Sequence, residues 1–465
     1  MPSTDRAIDA PDEPTARRRI LVVTPDTLGT LMAGPAIRAW EIATALSQFA
    51  DVRLISTNRA QGLTSDRFHV AFADDVRLRT HVDWADVLVF QGHVLRSFPW
   101  IKTTDTIIVA DIYDPMHLEQ LEQGKDLEPV DRMAVSIDTV EVLNDQLERA
   151  DFMVCASDKQ RDFWLGQLAG LARINPATYD ADPSLRSLLD VAPFGVQNEP
   201  PVQKQHGIKG VVPGIGPDDK VIIWGGGIYN WFDPLTLIRA VAVARAAHPD
   251  LRLFFMGAAH PNPDIPAMRM AVEARALADE LGLAGEAVFF NESWVPYADR
   301  ADFLLDADLG VSTHYEHLET QFSFRTRILD YLWASLPIIS TDGDTFAGII
   351  RENDLGRVVP PEDVDALAAA IEELLYDAEA RSRISANVAA FARSHTWEHS
   401  LRALVAFCKN PSRAPDLVAG VESERTRITN DLRRRVSGLE ASSSWRLTKP
   451  LRTASHWLAQ RARKL

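Results

Sequence analysis

Short runs of β-branched and aliphatic residues alternate with longer helix-like stretches along most of this chain, and no other feature limits its fold as strongly. Such alternation is typical of β-α-β units, in which helices join parallel strands and cover both faces of a sheet. A helix is predicted at 35–49, where apolar side chains recur at near-helical spacing. The strands predicted in the first half are 20–24, 52–56, 87–91, 106–110 and 152–156, with a last short strand and turn at 191–196.

A second series of the same kind begins after residues 198–217, a stretch dense in Pro, Gly and polar residues that is typical of a linker. Helices are predicted here at 234–247 and 364–376. The predicted strands are 221–224, 251–256, 287–291, 309–313, 337–341 and 356–359. We therefore expect an α/β fold of two doubly wound, Rossmann-like domains that face each other across a cleft. Ligands of such sheets bind at the carboxyl ends of the strands.

Charge and cysteine content exclude several classes of protein. The 465 residues carry a formal net charge of −16, whereas proteins that bind nucleic acid over a broad surface have an excess of Lys and Arg. The two cysteines, Cys155 and Cys408, are too few for a disulfide framework or a Cys-rich zinc site. The apolar run 20–23 is much shorter than a signal-peptide core, and no stretch reaches about 18 uninterrupted apolar residues. A cytoplasmic location is expected.

The segment 322–330 is the first candidate for ligand binding. If a helix begins near its start, the first turn would offer free N–H groups and a favourable dipole to a diphosphate, with Arg325, Thr326 and Arg327 beside it. Asp330, one turn later, could accept hydrogen bonds from ribose hydroxyls. In the alternative interpretation the two arginines pair with surface carboxylates and the aspartate faces solvent.

Other candidates follow predicted strand ends and would face the same cleft. The glycines would allow close backbone approach to a ligand, the arginine could reach a sugar or phosphate, and the aspartates could bind sugar hydroxyls or the acceptor. A tight turn, a helix start or a turn cap would explain the same residues. These candidates are Gly34 and Arg38, Gly226 and Gly227, and Asp111 and Asp114.

No metal ion or cofactor is expected. His314 and His317 lack a third ligand at helical spacing, so they do not make a metal site. The Asp-x-Asp triplets that begin at Asp180, Asp306 and Asp342 fit turns or element ends. No Gly-x-Ser-x-Gly elbow or Cys/His pair points to acyl hydrolysis.

Several segments, taken in order, resemble glycosyltransferase family 4, which contains retaining enzymes of the GT-B fold. Residues 150–157 resemble the family's strand ending in Ser, and 192–196 its Pro-x-Gly-Val hinge. Residues 329–341 are similar to its Glu-Ala-Met-Ala-x-Gly-Leu-Pro-Val-Val segment. The remaining matches are 288–313, before the donor loop, and the closing elements 355–361 and 395–398. The resemblance runs from about residue 19 to residue 407.

The resemblance implies a division of the chain. It gives an N-terminal acceptor domain at 20–197, the linker 198–217, a nucleotide-sugar donor domain at 218–394 and a crossover helix at 395–410 that returns to the first domain. A disordered segment, 1–19, precedes these parts, and a helical tail, 411–465, follows them.

By position, the resemblance implies that Asp330 replaces a ribose-binding Glu and that Arg327 takes the place of a Lys or Arg that contacts the diphosphate. The implied reaction moves a sugar from a nucleotide-diphosphate sugar to a saccharide or lipid-linked acceptor, with retention and without a metal. Cationic and backbone groups would stabilise the leaving diphosphate. Asp111 or Asp114 would position hydroxyl groups. Cell-surface polysaccharide or glycolipid biosynthesis is the expected setting.

Two departures from the family pattern concern the donor. Phe322 stands where the family has a carboxylate that touches the donor sugar, and Gly227 and residues 231–233 occupy the stretch of its usual Arg and Lys. Glu319 is the candidate to replace the carboxylate, and Arg325 to replace the positive charge. The departures leave open a non-catalytic GT-B-like subunit or scaffold. A GT-B sugar-nucleotide epimerase or a phosphorylase is a further alternative, and it needs a carboxylate pair or a pyridoxal-binding Lys.

The tail 411–465 forms a separate unit in the sequence. An apolar stripe that includes Ile428, Leu432 and Leu439 predicts self-association through 415–440. In 441–465, apolar residues recur at three- and four-residue steps among Arg and Lys that no acidic residue balances. This pattern fits a peripheral helix on anionic lipid at the inner face of the plasma membrane. Docking on the protein body, or pairing with itself, is the alternative.

Overall fold

A computed structural model describes residues 17–257, 268–422, 424–442 and 445. Most of the predicted N-terminal segment 1–19 and most of the basic segment 441–465 lie outside these residues. No helix in the described ranges is both long enough and apolar enough to span a bilayer.

The first domain is built on a seven-stranded parallel sheet of order β3-β2-β1-β4-β5-β6-β7. The order reverses between β1 and β4, so the loops after these two strands diverge and leave a crevice at their carboxyl ends. The strands are β1 (Arg19–Thr24), β2 (Asp51–Ser56), β3 (His69–Phe72), β4 (Val87–Gln91), β5 (Ile107–Asp111), β6 (Phe152–Cys155) and β7 (Leu189–Val191). The helices are α1 (Gly34–Leu46), α2 (Asp75–Trp84), α3 (Val94–Ser97), α4 (Met116–Gln123), α5 (Pro129–Arg149), α6 (Asp158–Gly170) and α7 (Pro176–Ala181).

The second domain repeats this architecture with six parallel strands in the order β10-β9-β8-β11-β12-β13. Its strands are β8 (Lys220–Trp224), β9 (Leu251–Phe255), β10 (Val288–Phe290), β11 (Leu309–Ser312), β12 (Ile338–Thr341) and β13 (Gly356–Val359). Its helices are α8 (Pro234–Arg245), α9 (Arg269–Glu280), α10 (Arg300–Leu304), α11 (Leu318–Phe322), α12 (Arg327–Trp333), α13 (Thr345–Glu352), α14 (Val364–Tyr376) and α15 (Ala378–Ala392). The predicted α/β fold of two doubly wound domains is confirmed.

Two strand predictions differ from the structure. The sequence analysis missed β3, a four-residue strand at the sheet edge that no apolar run marks. The last short strand and turn, predicted at 191–196, begin earlier than predicted: β7 spans Leu189–Val191, and the next residues connect the domains. Pro193 in that stretch has no N–H to donate to a strand neighbour.

After the second sheet the chain returns to the first domain through α16 (Trp397–Ser400), α17 (Arg402–Lys409) and α18 (Pro415–Val418), and α19 (Glu424–Ala441) follows. Gly195 lies so close to this return that a Cβ atom on it would be 2.4 Å from Trp397 Cα, so only glycine fits there. The Phe407 ring stacks on Phe152 with centroids 4.4 Å apart. Asp416 is buried and binds Arg173 at 2.5 Å. The segment through α18 is thus fixed to the first domain.

Candidate functional site

A cleft of about 620 Å³ lies between the two domains. Loops that follow β1, β4 and β5 form its first wall, and loops after β8 and β9, together with residues around α12, form the second. Both sheets therefore present the carboxyl ends of their strands to it, where ligands of such folds bind. Every predicted site residue except Arg38 lines the cleft: Gly34, Asp111, Asp114, Gly226, Gly227, Glu319, Arg325, Thr326, Arg327 and Asp330.

Arg38 lies below the cleft surface and binds Asp111. Its Nε donates to Asp111 Oδ2 at 2.6 Å, and its Nη2 donates to Oδ1 and to the Ala192 carbonyl, each at 2.8 Å. The arginine is fully buried and the aspartate nearly so. The prediction that Arg38 reaches a sugar or phosphate does not fit this arrangement, because the pair instead joins α1 to the end of β5. Both carboxylate oxygens of Asp111 are occupied by the same contact.

Arg325 and Glu319 form a second buried ion pair, within the second domain. The two guanidinium nitrogens donate to the two carboxylate oxygens at 2.8 and 2.7 Å. Their side chains are only 4% and 1% exposed, so the pairing is internal rather than at the surface. The positive charge expected from Arg325 is therefore already balanced before a ligand enters.

Arg327 differs, because it has no carboxylate partner within the described parts of the chain. Its Nη2 donates to the Gly227 carbonyl at 2.9 Å, and its guanidinium lies 4.3 and 3.9 Å from the ring centroids of Trp224 and Phe232. Its Nη1 is buried without a hydrogen-bond partner. Burial lowers the pKa of Arg327 to about 10. A cation without a counter-charge in the wall of a cleft is suited to bind an anion.

Asp330 lies in the first turn of α12, beside an arginine held between two aromatic rings. Arg300 Nε donates to Asp330 Oδ1 at 3.0 Å. The guanidinium of Arg300 lies 3.8 Å from the Tyr297 ring centroid and 4.3 Å from that of Trp333. Asp330 does not simply face solvent, since its side chain is 29% exposed and one oxygen is oriented by this contact.

The sequence analysis considered a helix that begins near the start of segment 322–330. In the structure no helix begins there. α11 ends at Phe322 and α12 begins at Arg327. The Phe322 ring packs on Phe163 with centroids 4.7 Å apart, and its carbonyl accepts from Gln160 Nε2 at 2.8 Å. This position therefore joins the two domains, where the family has its sugar-binding carboxylate. Thr326 approaches the opposite wall, with its Oγ1 4.0 Å from the position that a Cβ on Gly34 would occupy.

The glycine loop after β8 passes along the cleft without side chains. Gly226 has a φ of +75°, a conformation that favours glycine. The N–H of Gly225 donates to Tyr331 Oη at 2.8 Å, which fixes the loop to α12. Peptide groups can thus approach a ligand beside Arg327.

Carboxylates collect on the other side of the cleft, where Asp114 and Glu119 of the first domain face Glu319. Burial and the Glu319 charge raise the pKa of Asp114 to about 7. Burial and the two neighbouring carboxylates raise the pKa of Glu119 well above its usual range. The sequence analysis missed Glu119, because α4 is a polar helix without a motif. It also missed Gln91, although the predicted strand 87–91 ends there.

The histidines and aspartate triplets have internal partners. His314 is buried 3.6 Å from Asp344, which caps α13, and His317 caps α11. Asp306 accepts from the backbone N–H groups of residues 207–209. No group of three or more His, Cys, Asp or Glu side chains is placed to hold a metal ion in the part of the chain that the structure covers.

Comparison with known proteins relates this geometry to a family. The sequence pattern of "Glycosyl transferases group 1" matches residues 219–377. A phosphatidyl-myo-inositol mannosyltransferase of Mycolicibacterium smegmatis is 27% identical over 164 residues, 34% of this chain and 38% of that protein. A D-inositol 3-phosphate glycosyltransferase of Jonesia denitrificans is 25% identical over 240 residues, 49% of this chain and 52% of that protein. The chain thus matches about half, or less, of the length of these relatives.

Solved structures extend the similarity of fold to both domains. An Anabaena protein in complex with UDP and glucose has a TM-score of 0.57 at 13% identity, over 84% of this chain and 99% of that one. The match includes the first domain, which the family pattern leaves out. Residues 219–377 are therefore similar to the glycosyl transferases group 1 family, and the two domains together have the GT-B fold.

Proposed function

We propose that this chain transfers a sugar from a nucleotide-diphosphate sugar to a saccharide or lipid-linked acceptor, with retention, in cell-surface polysaccharide or glycolipid biosynthesis. The observation that carries the proposal is Arg327, a buried cation that lines the cleft beside the glycine loop and has no carboxylate partner in the described chain. The relatives named as glycosyltransferases, and the UDP in the Anabaena structure, support the same donor class.

In the proposed reaction the diphosphate lies against Arg327 and the glycine loop, and Asp330 accepts hydrogen bonds from the ribose hydroxyls. The acceptor hydroxyl attacks the anomeric carbon from the face that the diphosphate leaves. The carbon–oxygen bond to the diphosphate breaks, the bond to the acceptor forms, and the hydroxyl proton passes to a phosphate oxygen. Asp114 positions the hydroxyl. Charge on the leaving group is stabilised by the protein rather than by a divalent cation.

The direct test incubates the purified chain with UDP-, GDP-, ADP- and dTDP-sugars and a panel of saccharide acceptors, in EDTA and in Mg²⁺. We expect acceptor-dependent release of one nucleoside diphosphate at similar rates under both conditions, and a product of unchanged anomeric configuration by NMR. Conversion of the donor sugar without release would identify an epimerase. A folded chain that binds none of the nucleotides would support the scaffold alternative instead.

We further propose that the chain is cytoplasmic and peripheral on the inner face of the plasma membrane, held there by residues 441–465. Support comes from the sequence of that segment, in which Arg and Lys interleave with apolar residues. Flotation on vesicles containing phosphatidylglycerol should be lost when residues 446–465 are removed, and it should weaken with salt. Equal flotation of both forms would contradict this role.

Self-association is proposed for α19 rather than for all of 415–440, because α18 is already packed on the first domain. Ile428, Leu432 and Leu439 on α19 are 49%, 54% and 58% exposed. A helix of this length is marginal in water without a packing partner. Leu432→Asp should shift a concentration-dependent dimer to monomer in sedimentation, whereas Arg435→Asp should not.

A further inference from the structure

The first-domain wall of the cleft is rich in hydrogen-bond acceptors. Two glutamines in this wall show this most clearly. Gln91 and Gln146 line the cleft and are only 3% and 1% exposed. The Oε1 atom of each is buried without a hydrogen-bond partner. A buried carbonyl oxygen without a donor is unfavourable unless a ligand supplies one.

The orientation of these amides follows from their neighbours. Gln91 Nε2 donates to the Pro35 carbonyl at 2.7 Å and to Thr24 Oγ1 at 2.8 Å. Gln146 Nε2 donates to the Gly92 carbonyl at 2.7 Å. A peptide carbonyl can only accept, so the amide nitrogen must face it and the amide oxygen must face away. Exchanging the two amide atoms would place two acceptors against each other.

The titratable groups on this side of the cleft are also mainly acidic. Asp114 and Glu119 line it, and no Lys or Arg of the first domain does so among the residues whose structure is described. Arg325 is the cation whose charge acts on Glu119, but both of its terminal nitrogens already donate to Glu319. A phosphate entering this part of the cleft would meet acidic side chains without a free cation to bind it.

We propose that the sugar unit that accepts the transferred residue is unphosphorylated and binds this wall through its own hydroxyl or amino hydrogens. Gln91 and Gln146 accept from it through their free oxygens, and Asp114 and Glu119 hydrogen-bond to it through their carboxyl groups. Negative charge on that unit is rejected. This inference depends on the proposed function, in which the first domain holds the acceptor. It separates the chain from the two relatives above, whose names both contain a phosphorylated inositol.

The test compares matched acceptor pairs on protein saturated with the nucleotide sugar it uses: glucose with glucose 6-phosphate, and myo-inositol with myo-inositol 1-phosphate. Acceptor-dependent release of nucleoside diphosphate gives kcat/KM for each member. Where a pair gives no turnover, binding to the UDP-saturated protein is measured by saturation-transfer NMR. We expect the unphosphorylated member of a pair to be favoured at least tenfold, mainly through KM.

Assayed at pH 8, above the pKa of Asp114, the variant Asp114→Asn with Glu119→Gln should reduce that preference at least fivefold, because it removes the Asp114 charge and keeps the side-chain shapes. Asp131→Asn, which neutralises an exposed carboxylate on α5, is the matched control and should leave the preference unchanged. Preference for the phosphorylated member, binding of neither member, or an unchanged ratio in the double variant would overturn the inference. If the native chain does not bind UDP or another nucleotide, the proposed function itself is contradicted instead.

Discussion

Arg327 provides the sharpest test of the site, because its removal should affect binding and stability in opposite directions. Burial lowers its pKa from the ordinary value to about 10. At neutral pH the side chain is charged in both the folded and the unfolded state. The lowered pKa therefore means that burying this charge lowers the free energy of unfolding by about 3 kcal/mol. Contacts with Gly227, Trp224 and Phe232 are lost together with the charge. We therefore expect Arg327→Met to leave the free energy of unfolding unchanged or to raise it by up to about 2 kcal/mol.

The same substitution should weaken nucleotide binding. Hydrogen bonds between a guanidinium and a phosphate contribute about 2 kcal/mol, which corresponds to roughly a 30-fold lower affinity for UDP. Urea unfolding measures the stability and titration calorimetry measures the affinity. Both are to be made on the same preparation at the same ionic strength.

Arg325→Met is the matched control, two residues away and equally buried. It leaves the Glu319 carboxylate buried and unpaired, so we expect a loss of about 3–5 kcal/mol in the free energy of unfolding. Adding Glu319→Gln should recover part of that loss. The reasoning is refuted if Arg327→Met destabilises the fold as much as Arg325→Met does while the affinity for UDP stays unchanged.

Two further substitutions test neighbouring groups. Asp330→Ala should lower the affinity for UDP by about tenfold and that for 2′,3′-dideoxy-UDP by much less, because the ribose hydroxyls are the lost partners; equal losses in calorimetry would contradict the assignment. For Asp114, whose pKa of about 7 in the folded state lies above the ordinary 3.8, the free energy of unfolding should fall as pH rises from about 4 through 7, since the folded state keeps its proton when the unfolded state has lost it. Asp114→Asn should remove that part of the fall in urea titrations between pH 4 and 8, and a difference from the native protein that does not vary with pH would contradict it.

The sequence by itself was sufficient for the architecture. Helical and strand periodicities are local properties, and their alternation in two series predicted both parallel sheets and the cleft between them. The strand ends at Gln91, Asp111 and Trp224 were placed within one residue, because a buried parallel strand is a short apolar run with polar residues directly after it. The edge strand β3 was missed for the same reason, since it is only partly buried.

Only the tertiary structure decided which charges are available in the cleft. Arg38, Arg325 and Arg327 look equivalent in the sequence, yet the first binds Asp111, 73 positions away, the second binds Glu319, and the third has no carboxylate partner in the described chain. The choice of partner depends on distances between elements that are remote in sequence, and in a buried site that choice determines whether a charge is balanced or free. The tertiary packing also places Glu119, Gln146 and Arg300 in the site, and the sequence did not predict them. The chemistry of the cleft is therefore a property of its packing, whereas its location is a property of the chain's periodicity.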